Sequence, residues 1–424
     1  MKKLKVVVIG LGPRGMTYTG NMDKEKFEVV AVADPIEYRR EIFKERYNIS
    51  EENCFVTWED LLAKPKMADI AIISTSDQMH YEPAMKAIEM GYNLLLEKPI
   101  APTYQECINI AKFAKEKGVK ILVCHVLRYT KFFKKIKQFI DEGALGTVLS
   151  IHHCENVGNL HHAHSYTRGN WGNTAKSSPM LLAKSCHDID IIQWLVNSKC
   201  KYVNSFGSLS YFKSENAPDG SPEYCYQGCP YSDTCYYDAT KIYCQESKDW
   251  YKIGVLTMDN PTQEDYENVL KNTQYGKCVY KCDNDVVDHQ VVNMEFENGA
   301  VASFNMSSFN EGGRYIRVMG TEGEIYGDMD KNTIDYYSFK TRTHEIINPN
   351  DQKLTGSITD GHGGGDKGIV EDLYEYMVGE ADESSLSEIK ISTQNHLIVF
   401  AAEEARLEKT VVDMNDFEKK AGMI

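Results

Sequence analysis

Residues 3–15 read Lys3-Leu4-Lys5-Val6-Val7-Val8-Ile9-Gly10-Leu11-Gly12-Pro13-Arg14-Gly15. Five of the six residues from Leu4 to Ile9 are apolar, and four in a row are β-branched. That run suits a strand buried on both faces of a parallel sheet. The glycines then follow at G-x-G-x-x-G spacing, with Pro13 and Arg14 inside the turn. Gly10 permits a tight turn, Gly12 leaves bare backbone for a pyrophosphate to approach, and Gly15 lets the next helix lie close to the strand. The first turn of that helix offers free N–H groups and the positive end of a dipole to phosphate. A second apolar run, Phe27 to Ala33, ends in Asp34, where this fingerprint expects an acid that bonds a ribose hydroxyl. Glycine spacing alone is a weak signal. With the strand before it and the acid after it, it points to a dinucleotide site rather than to a glycine turn in an unliganded α/β fold.

Outward from this unit, strand-like and helix-like segments alternate. A charged helix is expected over 36–47, strands over 70–74, 94–96 and 120–124, and helices over 82–90 and 104–117. The strand at 70–74 runs into Ser74-Thr75-Ser76, with His80 soon after, and the strand at 94–96 runs into Glu97-Lys98-Pro99. Such alternation implies an open, doubly wound parallel sheet over residues 1–125, with ligands bound where the strands end. From 126 to 424 the pattern changes. A helix is expected over 132–142, then alternating runs at 148–153, 202–209, 286–296, 301–309, 316–319 and 324–327. These predict a large, mostly antiparallel open sheet with one buried face. Further helices are expected over 179–195, 368–377 and 391–409. The fold class is therefore α/β, a parallel-sheet domain followed by an α/β domain. An irregular Cys-rich insertion lies at about 214–282.

The chain has 424 residues, 42% hydrophobic and 26% charged, with a net charge of −15. An acidic chain lacks the basic face that nucleic acid or an anionic membrane would require. No apolar run approaches the ~18 residues of a membrane helix, and the N-terminus enters the first strand without a signal-like segment. A cytoplasmic enzyme is the expectation. Twelve cysteines in a reducing compartment read as thiols or metal ligands rather than disulfides.

The glycine-rich loop, Asp34, T-S-D-Q-M-H at 75–80, G-Y-N-L-L-L-E-K-P at 91–99, L-R-Y at 127–129, G-A-L-G at 143–146 and C-H-D-I-D-I-I-Q-W-L at 186–195 together resemble the glucose–fructose oxidoreductase / inositol dehydrogenase (Gfo/Idh/MocA) family. The resemblance implies a nicotinamide-dependent oxidoreductase acting on a sugar, polyol or related hydroxyl. It also implies a homodimer or homotetramer packed through the open sheet. NAD is expected on Gly10, Gly12, Pro13, Arg14, Gly15 and Asp34, with Ser74, Thr75, His80 and Glu97 lining the same cleft. An NAD-dependent glycosidase, which oxidises a ring hydroxyl transiently and breaks the glycosidic bond by elimination, is the rival reading. A non-enzymatic NAD(H)-binding regulator is a more distant one.

Hydride transfer from a carbinol needs a group that takes the hydroxyl proton and a cation near the forming carbonyl. Lys98 would be a surface lysine by spacing alone, but its Glu-Lys-Pro context assigns it to substrate. The resemblance puts His187 at the general-base position, and its unperturbed pKa near 6.5 suits that task. Similar dehydrogenases carry Asp four residues earlier, where this chain has Ala183. On a continuous helix from Pro179, Lys184 would share a face with His187 and enter the site. Arg128, His161, His164, Tyr166, Arg168, Trp171, Asp188 and His362 are the expected substrate contacts. Asp288 and His289 would either face a sugar or cap a strand.

Cys225, Cys229 and Cys235 stand in C-Y-Q-G-C-P-Y-S-D-T-C. With Cys278 as fourth ligand they would form a closed structural zinc site remote from catalysis. Cys244 and Cys282 are alternative fourth ligands, and an iron–sulfur cluster or a set of unrelated thiols are the other readings.

Overall fold

The computed structural model describes residues 2–245, 255–256, 261–350 and 362–423. Its first sheet has six strands, all parallel, in the order β3-β2-β1-β4-β5-β6. They are β1 (Leu4–Ile9), β2 (Phe27–Ala33), β3 (Cys54–Phe55), β4 (Ile70–Ile73), β5 (Asn93–Leu96) and β6 (Ile121–Val123). The Val6-Val7-Val8 run sits at the centre, with no side-chain exposure on either face, as continuous β-branched residues in a parallel sheet require. One face packs on the helices Tyr81–Glu89 and Tyr104–Lys117 through Ala84, Ile88, Cys107 and Ile110. The other is covered in part by the helix Gly365–Val378, whose Ile369, Val370 and Leu373 share a core with Val6, Val8 and Leu95. The chain order reverses between β1 and β4, so the loops after those two strands open a crevice.

The second sheet has nine strands in the order β14-β13-β12-β11-β7-β10-β9-β8-β15. They are β7 (Val148–Asn156), β8 (Cys200–Ser208), β9 (His289–Phe296), β10 (Val301–Ser307), β11 (Gly313–Gly320), β12 (Gly323–Asp328), β13 (Thr333–Ser338), β14 (Thr343–Ile347) and β15 (Val411–Asp413). Only the β7–β10 pair is parallel. One register row crosses the whole sheet: Ile346, Asp335, Tyr326, Arg317, His152, Ser303, Asn293, Asn204 and Val411. None of these is buried, whereas Ile325, Ile316, Val318, Ile151, Phe304 and Val292, on the opposite face, are. The buried face packs against the helices Lys131–Asp141, Cys186–Val196 and Ile389–Glu408. The other face is open.

Strands β3, β13, β14 and β15 lay outside the sequence expectation. β3 is two residues long, β14 is a largely exposed edge strand, and β13 beside it is mostly half-exposed, with little alternation to read. The helix expected over 179–195 is two helices, Met180–Ala183 and Cys186–Val196, broken at Lys184 and Ser185. The continuous helical face on which Lys184 would join His187 is therefore not formed.

Arg128 is a second correction. It is fully buried, donating from Nε and Nη2 to Asp190 at 3.0 and 2.5 Å and from Nη1 to the Leu386 carbonyl at 3.0 Å. Its guanidinium also lies 5.1 Å from the Trp194 ring centroid. It joins the segment after β6 to the helix Cys186–Val196 and offers nothing to a ligand. Arg128→Ala would leave the buried Asp190 carboxylate uncompensated, and removing one partner of such a pair typically costs about 3–5 kcal/mol. Urea unfolding should show a loss of that size in Arg128→Ala and a smaller one in Arg128→Met/Asp190→Leu.

Candidate active site

The crevice is built on close backbone approach. A Cβ at Gly10, where φ is +91°, would fall 2.7 Å from the Ser74 carbonyl carbon, and a Cβ at Gly15 would fall 2.3 Å from the Gly10 oxygen. Neither can be replaced without moving β1 against β4 or the helix Pro13–Gly20. Ser74 completes this junction by donating from Oγ to the Gly10 carbonyl at 2.8 Å. Gly12 differs. A Cβ there would meet only the Arg39 guanidinium, at 3.8 Å. That face of the loop is open, and the N–H groups of Arg14 and Gly15 lie in the first helical turn, where no intrahelical acceptor exists. The cradle fits a dinucleotide pyrophosphate.

Asp34 follows β2 and is nearly fully buried. Its carboxylate accepts from the N–H groups of Leu11 at 2.8 Å and Ile36 at 2.9 Å. Arg39 turns back to within 3.6 Å of the Asp34 carboxylate, and Arg40 donates to the Asp34 carbonyl.

Arg14 reaches across the crevice. It donates from Nε to Glu97 at 2.6 Å and from Nη2 to both Asp366, at 2.6 Å, and the Tyr18 hydroxyl. Tyr18 donates in turn to Glu97, whose other oxygen accepts from the Lys98 N–H at 2.8 Å. Burial alone would push the Glu97 carboxyl up. Arg14, Lys98 and these hydrogen bonds hold it below its usual value. Glu97 is thus occupied in fixing Arg14 and the backbone of Lys98. His80 is fully buried, with Nδ1 on the Pro99 carbonyl at 2.7 Å and Nε2 on the Thr75 carbonyl at 3.1 Å. It braces the loops that frame the crevice instead of facing a cofactor. The Thr75 hydroxyl is likewise spent on the Met79 carbonyl.

Lys98 extends from the end of β5 and donates from Nζ to the Ala183 carbonyl at 2.7 Å. His187 stands on the next helical turn, nearly buried, with Nδ1 unpartnered. Burial first, then the neighbouring Lys98 and His125, hold its proton affinity well below the ordinary histidine value. Ala183, four residues before it, offers it no carboxylate. Lys184 does not share its helical face and pairs instead with Glu155 of β7 at 3.1 Å. Glu155 also meets Arg314 of β11, at 2.5 Å, and Arg314 lies 3.0 Å from Asp188. Asp188, expected to bind substrate, is fully buried between Arg314 and His153. Burial would raise it, but these two partners bring it down to about 2. Burial lowers Lys184 and raises Glu155, each opposed by its partners.

The expected polar–aromatic loop divides. His161 lies close enough to Lys184 to feel its charge, and burial together with that charge keeps its ring neutral. The rings of Tyr166 and Trp171 follow from it in sequence, with centroids 5.9 and 6.2 Å apart. The Trp171 Nε1 donates to Asp77. His164 and Arg168 are corrections. His164 bonds the Tyr243 hydroxyl at 2.8 Å and stacks on Tyr275. Arg168 is fully buried and donates to the carbonyls of Lys277 and Tyr237, at 2.7 and 2.6 Å. Both anchor the Cys-rich insertion. Asp288 accepts from Ser210 and Tyr211 N–H groups and caps a strand.

The zinc expectation is also corrected. Among the described residues no group of three or more His, Cys, Asp or Glu side chains is placed to hold a metal ion. Cys225, Cys229, Cys235, Cys278 and Cys282 are free thiols. Cys225 lies against the Arg168 guanidinium at 3.7 Å, Cys235 accepts from the Tyr237 N–H, and Cys278 and Cys235 sit in a small apolar cluster with Phe212 and Tyr280. Among its described residues the insertion is held to the domain by Arg168 and by aromatic packing.

Residues 4–125 match the NAD-binding Rossmann fold of the GFO_IDH_MocA oxidoreductase family, and residues 137–390 match its C-terminal alpha/beta domain. The chain belongs to this oxidoreductase family. It is 24% identical over 326 residues, 74% of either chain, to YteT of Bacillus subtilis (strain 168), which bears an oxidoreductase name. It is 28% identical over 210 residues, 49% of this chain and 53% of the relative, to the 2,7-anhydro-N-acetylneuraminate hydratase of Mediterraneibacter gnavus. Levoglucosan dehydrogenase, solved with NADH and levoglucosan, superposes with a TM-score of 0.69 over 97% of this chain and 100% of that one, at 18% identity. At that identity the likeness is one of fold.

Asp366, Tyr18, Glu155 and Arg314 joined the site unannounced. Asp366 ends the sequence G-H-G-G-G-D at 361–366, and nothing local ties it to Arg14, 352 residues away. Gly12→Ala should leave thermal stability unchanged and weaken NADH binding, read by nicotinamide fluorescence, by roughly tenfold or more. Gly15→Ala should lower both.

Proposed function

We propose that this family member is an NAD-preferring oxidoreductase that moves hydride between a sugar, polyol or glycoside hydroxyl and nicotinamide. The observation that carries the reading is the linkage of the open glycine loop, through Arg14 and Glu97, to Lys98 and from it to the helix bearing His187. Gly10, Gly12, Pro13, Arg14 and Gly15 would hold the pyrophosphate, and Asp34 an adenosine ribose. NAD when bound accepts the hydride. Lys98 would stabilise the oxygen of the forming carbonyl, and His187 would hydrogen-bond the same oxygen. His161, Tyr166 and Trp171 would border a sugar ring. Among the described residues no helix is long and apolar enough to cross a membrane. We place the enzyme in the cytoplasm, with the open face of the nine-stranded sheet covered by further copies of the chain in a dimer or tetramer.

A second reading, oxidation followed by elimination with return of the hydride, is favoured by one finding, the relative named as a hydratase of an anhydro sugar. A panel of sugars and glycosides separates the two. Net NADH supports the dehydrogenase. Release of the aglycone without NADH supports the second reading, and neither with any member overturns both.

Lys98→Ala should keep its NADH affinity and lose turnover by about a hundred- to a thousandfold, the usual loss for a preorganised donor. Asp34→Ala should bind NAD less tightly and NADP relatively better, because the carboxylate that repels a 2′-phosphate is gone while Arg39 remains. Parallel titrations with both cofactors check this. Wild type binding NADP as tightly as NAD would refute the preference.

A further inference from the structure

Two cations beside the crevice have donor atoms to spare. Arg314, the second residue of β11, pairs with Glu155 of β7 in the sheet register, so both side chains share the helix-covered face. The backbone of Arg314 is fixed on both sides: its N–H donates to Asp330 at 2.8 Å, and its carbonyl accepts from the Met329 N–H at 2.9 Å. The side chain meets its acids through Nε, which lies 2.5 Å from Glu155 and 3.0 Å from Asp188. Nη1 and Nη2 donate to no described residue, and neither is sealed from solvent. Lys184 reaches the other Glu155 oxygen at 3.1 Å. An ammonium carries three donors, and one contact leaves two. Exposure separates the signs. The Lys184 and Arg314 side chains are 17% and 10% open, against 3% for Glu155 and none for Asp188. The carboxylates lie behind the cations, and the atoms that face outward are N–H donors.

Three observations place this pair on the substrate side. Strand β7 ends at Asn156, and the chain runs from it into the helix Asn159–His162, which bears His161. Asp188, held by Arg314, adjoins His187, and Lys184 follows Ala183, whose carbonyl accepts from Lys98 Nζ. The charges are felt across the same space. Arg314 opposes protonation of His161 and His187, and Lys184 opposes that of His161 and His362. His362 itself is held by Asp366, 2.9 Å from its Nδ1.

A guanidinium can meet a carboxylate in bidentate fashion from its Nε side or end-on through Nη1 and Nη2. In Arg314 the Nε side is taken and the end-on fork remains. We propose that Arg314 and Lys184 form a carboxylate-binding subsite, and that the hydroxyl compound this enzyme acts on is a sugar acid, its carboxylate held end-on by the Arg314 fork with Lys184 beside it. The proposal rests on the oxidoreductase reading above and narrows its substrate class. The subsite holds the sugar away from the reacting carbon and takes no part in hydride or proton transfer. A carboxylate brings a single negative charge, whereas a phosphate group carries about −1.5 to −2 at pH 7. Glu155 and Asp188 already draw on the two cations, so the smaller charge is the one this pair can meet.

The test compares ligands matched except at one carbon. D-glucuronate and D-galacturonate are set against their methyl esters, the parent hexoses and the hexose 6-phosphates, and D-gluconate and D-galactonate against D-glucitol and galactitol. Binding to the NADH-loaded protein is read by calorimetry, and turnover with NAD by NADH absorbance. In wild type at least one acid should bind about ten- to a hundredfold more tightly than its neutral counterpart, the worth of a hydrogen bond to a charged group. R314K keeps a cation beside Asp188 and Glu155 but lacks the fork, and K184Q keeps a donor to Glu155 without the charge. Each should bring the acid-to-neutral ratio towards one, through KM more than kcat. The wild-type comparison needs no variant. No preference for any acid there overturns the proposal, as does a preference that survives in both variants. Tighter binding of the 6-phosphates overturns the carboxylate in favour of phosphate. Acid binding that falls in R314K and K184Q, without turnover of any ligand, would discard the oxidoreductase reading and leave the subsite standing. Turnover of neutral sugars with no acid preferred would do the reverse.

Discussion

One partly buried guanidinium holds the crevice together. Arg14 sits in the glycine-rich turn and pairs with two carboxylates, Glu97 from the end of β5 and Asp366 from the C-terminal helix. A lone charge at this depth would be costly, and so would either carboxylate without it. The three elements must arrive together for any of the three groups to be compensated. This ties the cofactor loop, the backbone of Lys98 and the imidazole of His362 to a common geometry. Tyr18, one helical turn beyond Arg14, closes the ring by bonding both Arg14 and Glu97.

A second ionic group lies deeper, where β7 and β11 meet the break between two helices. Lys184, Arg314, Glu155, Asp188 and His153 pair with one another there. The break at Lys184 and Ser185 lets this lysine leave the helical face of His187 and meet Glu155. With two cations against two anions the group carries no large net charge of its own.

Much of this was legible in the chain. A hydrophobic run reports a strand whether or not its neighbours are known, so β1, β2, β4 and β5 were evident. The glycines were evident because the turn excludes side chains, a constraint written in the residue type itself. Lys98 and His187 carried recognisable local context. The failures share a cause. Arg128, Arg168, His164 and Asp188 are polar residues in apolar or aromatic surroundings, which is equally the pattern of a ligand site and of a buried brace. Only the partner decides, and here the partners are Asp190, the Lys277 and Tyr237 carbonyls, Tyr243 and Arg314, as many as 126 residues away in sequence. The cysteines failed likewise, since their spacing permits a metal site but does not bring four sulfurs to one point.

By itself the sequence determined the parallel sheet, the position of its crevice, the face of the larger sheet that is buried, and the family. These follow from local pattern: periodicity, glycine placement and strand ends. The tertiary structure alone decided which charges are spent on one another and which remain for chemistry. Burial makes each ionised group depend on a partner that the chain supplies from a distant segment, and no local pattern encodes that distance.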